Sequence, residues 1–296
     1  MQVARAFEAT DTRDVPTGSS TRAAVGATAP WGDLKMDGVR LAYDDEGSGE
    51  VILCTHAVGH GAGDFAGFRA RHRDSYRVIA LDWPGQGGSG ADRLPPSAAR
   101  YGDLLGGAIE ALGLDRVVLL GNSIGGAAAL RVAAAHPERV RGVVACNPGG
   151  LVAHGLQKRL FTAAMAAFFA RGARGGALSR RAFAAMYRGV LSEAPAAEQR
   201  ARIVATWPEV APLLAAAWRS FGQPDDDLSP ILPRIGCPVL VTWSTGDRLN
   251  PLTFNRPGIA SLRHGELVTF RGGHTPFLEC PQEFDAAFAG FMAALP

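Results

Sequence analysis

The 296-residue chain has little cysteine, and what it has is scattered. Cys54, Cys146, Cys237 and Cys280 stand far apart, and no two form a C-x-x-C pair. That spacing argues against a zinc site, and no metal is expected. Three of the four lie in or beside apolar, strand-like runs, where a thiol behaves as a small buried hydrophobe. Such usage fits a reducing, cytoplasmic setting. An excess of charge is also missing. The 30 Lys and Arg residues stand against 28 Asp and Glu, so bulk charge recruits no nucleic-acid partner. No run approaches the roughly 18 apolar residues that a membrane span needs, so no stable membrane insertion is expected. Residues 1–30 lack an apolar segment of the signal-peptide kind. Their Ala, Thr, Ser, Gly and scattered charge predict a flexible N-terminal arm.

Glycine, by contrast, is abundant at 37 residues, and apolar runs succeed one another regularly. Runs at 39–43, 51–55, 76–81, 116–120, 140–146, 238–243 and 266–270 read as strands. Helical spacing appears at 97–112, 127–135, after Pro251, and at 281–294. Strands that alternate with helices predict an α/β fold with a mostly parallel sheet covered on both faces. From about 149 to 229 the strand-like runs vanish, and Ala, Arg, Phe, Met and Trp dominate. The expectation is one α/β core, 31–148 and 230–296, interrupted by an inserted helical cap at 149–229. The amphipathic run Gln157 to Arg171 reads as a cap helix packed on that core.

The most informative stretch is Gly121-Asn122-Ser123-Ile124-Gly125-Gly126. It joins a buried strand to an Ala-rich helix with no room for an ordinary loop. A strand that turns straight into a helix strains the corner residue, and small neighbours let the two elements approach. Ser123 is thereby held at a helix N-terminus, where the dipole favours negative charge. A serine hydroxyl needs a base, and the base needs an orienting group. Downstream, Asp247 follows a strand in Gly246-Asp247-Arg248, and His274 follows the last strand in Gly273-His274-Thr275-Pro276. An imidazole titrates near neutrality, which suits proton shuttling. Asp225, Asp226 and Asp227 rival Asp247 by type, but they precede the strand. The loop after the preceding strand carries Asn147, which supplies no charge. Oxyanion donors are expected from the Ile124 N–H and from Ala57 or Val58, in the loop after the 51–55 strand. His56 and His60 are read as shaping that loop.

Together with Asp82-Trp83-Pro84-Gly85-Gln86-Gly87-Gly88-Ser89, which is similar to a D-x-x-G-x-G-x-S turn, these motifs in this order resemble the α/β-hydrolase superfamily from about residue 33 onward. The resemblance implies an eight-stranded, mostly parallel sheet, a Ser123–Asp247–His274 triad and no cofactor. The elbow and Asn147-Pro148-Gly149-Gly150 resemble the meta-cleavage-product hydrolases, which break C–C bonds. The loop after His274 is more similar to the esterase, lactonase and cofactor-free haloperoxidase branches. If the oxyanion loop needs a positive φ at Ala57, that residue is strained. The expected activity is hydrolysis of a carboxylic ester, lactone or thioester through an acyl-Ser123 intermediate. C–C hydrolysis, or binding without catalysis, is the alternative. The expected partner is a small, largely apolar substrate, taken by a monomer or homodimer. Asn122 and the cap residues Phe161, Met165, Phe168, Trp207 and Trp218 are its expected contacts.

Overall fold

The computed structural model describes residues 31–296. The expected N-terminal arm lies outside the described residues. Eight strands form one sheet: β1 (Trp31–Met36), β2 (Val39–Glu46), β3 (Val51–Thr55), β4 (Arg77–Leu81), β5 (Val117–Asn122), β6 (Val140–Cys146), β7 (Val239–Ser244) and β8 (Gly265–Phe270). Their spatial order is β1-β2-β4-β3-β5-β6-β7-β8. The β1–β2 and β2–β4 pairs are antiparallel, and every pair from β4 to β8 is parallel.

The central strands are continuous apolar runs because both faces of the sheet are covered. Alternate residues serve opposite cores. Leu53, Val117, Leu119, Val143 and Val241 face one, and Ile52, Cys54, Val118, Leu120 and Val144 face the other. The first core packs under α2 (Ala98–Ala111) and α3 (Ile124–Ala135). The second packs under α1 (Ala66–His72) and the C-terminal Pro281–Ala294 helix, through Phe68, Phe284 and Phe288. Ser97 caps α2 by accepting the Arg100 N–H at 3.0 Å, a role for which serine is well suited.

Between β6 and β7 the chain forms α4 (Leu156–Gly172), α5 (Ala177–Val190), α6 (Ala197–Ala205) and α7 (Trp207–Ser220). Their shared interior is aromatic. The Phe183 and Trp207 rings stack at 4.1 Å, and Phe169 and Trp218 stack at 6.3 Å. The helices that follow β7 are α8 (Leu252–Ala260), the short α9 (Pro276–Glu279) and α10 (Pro281–Ala294). β1 is a strand that the apolar runs of the sequence do not mark. It is an edge strand with one neighbour, and its apolar signal is correspondingly thin.

Candidate active site

Parallel strands send their carboxyl ends to one edge of the sheet, so the loops after β3, β5, β6, β7 and β8 share that edge. At the end of β5, Ser123 sits at φ 56° and ψ −116°. L-residues rarely adopt such a conformation, which costs on the order of 1–3 kcal/mol. Three backbone hydrogen bonds hold it. Ser123 N–H donates to the Cys146 carbonyl at 2.9 Å, and its own carbonyl accepts from Ala127 and Gly149. A Cβ on Gly121 would collide with the Gly125 carbonyl, and one on Gly125 would collide with the Thr55 carbonyl. The corner therefore closes only with glycine at both places.

His274 follows β8. Its Nδ1 lies 2.6 Å from Asp247 Oδ2, and both residues are buried. Asp247 is fixed in turn. Its Oδ1 accepts from the Leu249 and Asn250 N–H groups, and its Oδ2 accepts from Asn147 Nδ2 at 2.7 Å. With carboxylate at Nδ1, the imidazole keeps Nε2 as a free acceptor, the tautomer a general base needs. Burial opposes charge on His274, but the carboxylates of Asp247 and Glu279 outweigh it and raise its pKa above the ordinary value. None of Asp225, Asp226 and Asp227 bonds to His274. Asp226 pairs with Lys158 at 2.8 Å, and burial pushes it up to about 6. Asp227 accepts the His154 and Ser229 N–H groups.

Glu279 is fully buried on the far side of the His274 loop. Its two oxygens accept the N–H groups of Gly273, His274, Thr275, Ser192 and Glu193. Asn147 and Glu279 thus support the Asp247–His274 pair, and sequence reasoning assigned a role to neither. Asn147 had a local signal: it starts a turn directly after a strand, and it occupies φ 41°, a region where Asn is enriched.

The loop after β3 is braced from the turn after β4. His56 Nδ1 donates to the Ala57 carbonyl, and His56 Nε2 accepts the Trp83 N–H at 3.0 Å. Burial holds the His56 pKa below the usual imidazole value, although Asp82 pulls the other way. Gly59 N–H donates to Gln86 Oε1 at 2.6 Å. The positive φ of this loop falls on Gly59, at 82°, and not on Ala57, so the strain anticipated at Ala57 is absent. Among the described residues, the Ala57 and Val58 N–H groups have no acceptor within the chain. Ile124 opens α3, so its N–H has no intrahelical partner.

Ala57, Val58, Ser123, Ile124 and His274 line one cavity of about 560 Å³. Phe161 and Trp218 line it as well, joined by Phe169 and Met186. Four of the anticipated contacts do not. Asn122 is fully buried behind the site; its Nδ2 donates to the Cys146 and His274 carbonyls, and its Oδ1 accepts from Thr275. Trp207 is in the aromatic interior against Phe183. Met165 and Phe168 pack against that same core. In each case the residue type suited substrate contact, and the helix or strand phase turned the side chain elsewhere. Among the described residues, no group of three or more His, Cys, Asp or Glu side chains is arranged to hold a metal, and no helix is long and apolar enough to cross a membrane.

A serine on a strained corner, a carboxylate-held histidine and free N–H groups around one cavity can together carry out acyl transfer. Comparison with known proteins places the fold and the family. The chain is 28% identical over 266 residues to the 2-hydroxy-6-oxo-6-phenylhexa-2,4-dienoate hydrolase of Burkholderia cepacia, covering 87% of this chain and 93% of that one. Its fold is like that of an esterase from Thermogutta terrifontis, with a TM-score of 0.75 at 22% identity, covering 90% of this chain and 98% of the other. It is also like that of the enol-lactonase from Burkholderia xenovorans LB400, with a TM-score of 0.71 at 22% identity, covering 88% and 100%. The profile of the alpha/beta hydrolase family matches residues 51–287, and the chain belongs to that family.

Proposed function

We propose that this hydrolase cleaves a carboxylic ester, lactone or thioester of a largely apolar small molecule through an acyl-Ser123 intermediate. The observation that carries the reading is the 2.6 Å Asp247–His274 pair opening on the same cavity as the strained Ser123. In the proposed reaction Ser123 Oγ attacks the carbonyl carbon and its proton passes to His274 Nε2. Asp247 accepts from Nδ1–H and stabilises the imidazolium. The oxyanion is held by the Ile124 N–H and that of Ala57 or Val58. His274 then protonates the leaving oxygen or sulfur, and water repeats the sequence to release the acid.

The wall supports an apolar substrate. Leu156, Phe161 and Phe254 line the cavity while remaining exposed, so the cavity meets solvent along an apolar edge. Helices α4, α5 and α7 supply much of the remaining wall, which supports reading 149–229 as a cap.

Ser123→Ala should lower turnover of an activated short-chain aryl ester by roughly 10⁴- to 10⁶-fold. Near-normal turnover in a clean preparation refutes the assignment. Failure of a fluorophosphonate to label Ser123 would support a binding protein instead. A second reading, hydrolysis of a C–C bond in a vinylogous diketone, is favoured by the similarity to the Burkholderia cepacia enzyme over 93% of its length. Parallel assays on a dienol diketo acid and an aryl ester separate the two.

A further inference from the structure

The loop after β3 carries a second histidine–carboxylate pair that the reaction above does not use. His60 Nδ1 lies 2.6 Å from Asp64 Oδ2, and His60 Nε2 lies 3.2 Å from the Tyr187 hydroxyl. Gln199 Nε2 donates to the other Asp64 oxygen. His60, Asp64 and Tyr187 are 8%, 1% and 4% exposed. Three separate parts of the chain meet here: the loop after β3, α5 and α6.

In the neutral ring of His60, the roles of donor and acceptor follow from the groups around it. A carboxylate only accepts, so Asp64 takes the His60 Nδ1–H and the Gln199 amide N–H. That tautomer leaves His60 Nε2 as an acceptor, and the Tyr187 O–H donates to it. The proton of the phenol is then committed, while its oxygen keeps lone pairs to offer. Both His60 and Tyr187 line the cavity that holds Ser123 and His274. They bring an oriented acceptor into a wall that also contains Val58, Met186, Val190 and Leu214. A polar group among apolar neighbours discriminates well, because a ligand that cannot satisfy it leaves it dry.

We propose that Tyr187, held by His60 and Asp64, is a specificity subsite whose hydroxyl oxygen accepts a hydrogen bond from a hydroxyl group on the substrate, away from the scissile carbonyl. The proposal rests on the reading of this cavity as the substrate site. His60 and Asp64 are positioning residues, and Tyr187 is the group that touches the ligand.

Binding to the full chain carrying Ser123→Ala tests this without turnover. Titration calorimetry would compare ethyl hexanoate with its 2-, 3- and 6-hydroxy derivatives. At least one hydroxy ester should bind about tenfold more tightly than the parent ester, a difference of about 1.4 kcal/mol. Adding Tyr187→Phe should bring that ratio close to one. If the Tyr187→Phe protein does not fold, His60→Gln, which keeps the phenol but removes its holder, must lower the same ratio. Absence of any preference, or a preference that survives in the folded variants, overturns the proposal. Wild-type turnover of ethyl hexanoate is read separately. Its absence alongside an intact binding preference would sink the acyl-Ser123 reading and leave the subsite standing.

Discussion

Glu279→Gln is the most demanding test of the site's architecture, because the change is almost isosteric. Oε1 accepts from Ser192 N–H at 2.7 Å, Gly273 N–H at 2.9 Å and Glu193 N–H at 3.3 Å. Oε2 accepts from the N–H groups of Gly273, His274 and Thr275, each at 3.0 Å. An amide can present only one oxygen. If its NH₂ takes the Oε2 place, Thr275 N–H loses its acceptor, while His274 N–H keeps the Val190 carbonyl at 2.7 Å. If it takes the Oε1 place, Ser192 and Glu193 N–H are stranded. Either way one or two backbone donors lose their acceptor, the buried Thr275 N–H in the first orientation and the less buried Ser192 and Glu193 N–H groups in the second, at about 1–3 kcal/mol for a buried donor, and the surviving bonds lose their charge assistance. The expected destabilisation is about 2–5 kcal/mol, or roughly 5–15 °C in Tm for a chain of this size. A second effect has a different origin. Glu279 is one of the charges that raise the His274 pKa, so its removal should move the acidic limb of the kcat/KM profile to lower pH. Thermal denaturation and a pH–rate profile on the same preparation read both effects. An unchanged Tm would refute the clamp, and an unmoved limb would refute the electrostatic link.

Other perturbations probe the same assembly. His274 accepts a proton only when neutral, and its pKa is raised, so wild-type kcat/KM should fall off on the acid side above the ordinary imidazole value of about 6.5. Asp247→Asn should shift that limb downward and lower kcat by on the order of 10⁴; a limb that stays in place would remove Asp247 from the role. At Asn147 the side chain and the backbone can be separated. Asn147→Ala loses the bonds to Asp247 and to the Ser244 N–H and also places alanine at φ 41°. Asn147→Gly loses only the bonds, so it should be the more stable variant by about 1 kcal/mol in chemical denaturation. Equal stability would mean that the backbone conformation carries no cost.

Local sequence determined a good deal of this molecule. The 51–55 and 140–146 runs coincide with β3 and β6, and 281–294 coincides with α10. Continuous burial and helical spacing are properties of neighbouring residues, and no distant contact is needed to read them. The Gly121–Gly125 corner was legible for the same reason, since steric exclusion there acts over a few bonds. Register and packing decided the rest. Asn122 and Ser123 are adjacent, yet one is buried beneath His274 and the other faces the cavity, because alternate positions on a strand and its corner point in opposite directions. Asn147 meets Asp247 from 100 residues away, and Tyr187 meets His60 from 127. No periodicity encodes such meetings. They follow from which strands lie side by side, and from where the four helices between β6 and β7 pack.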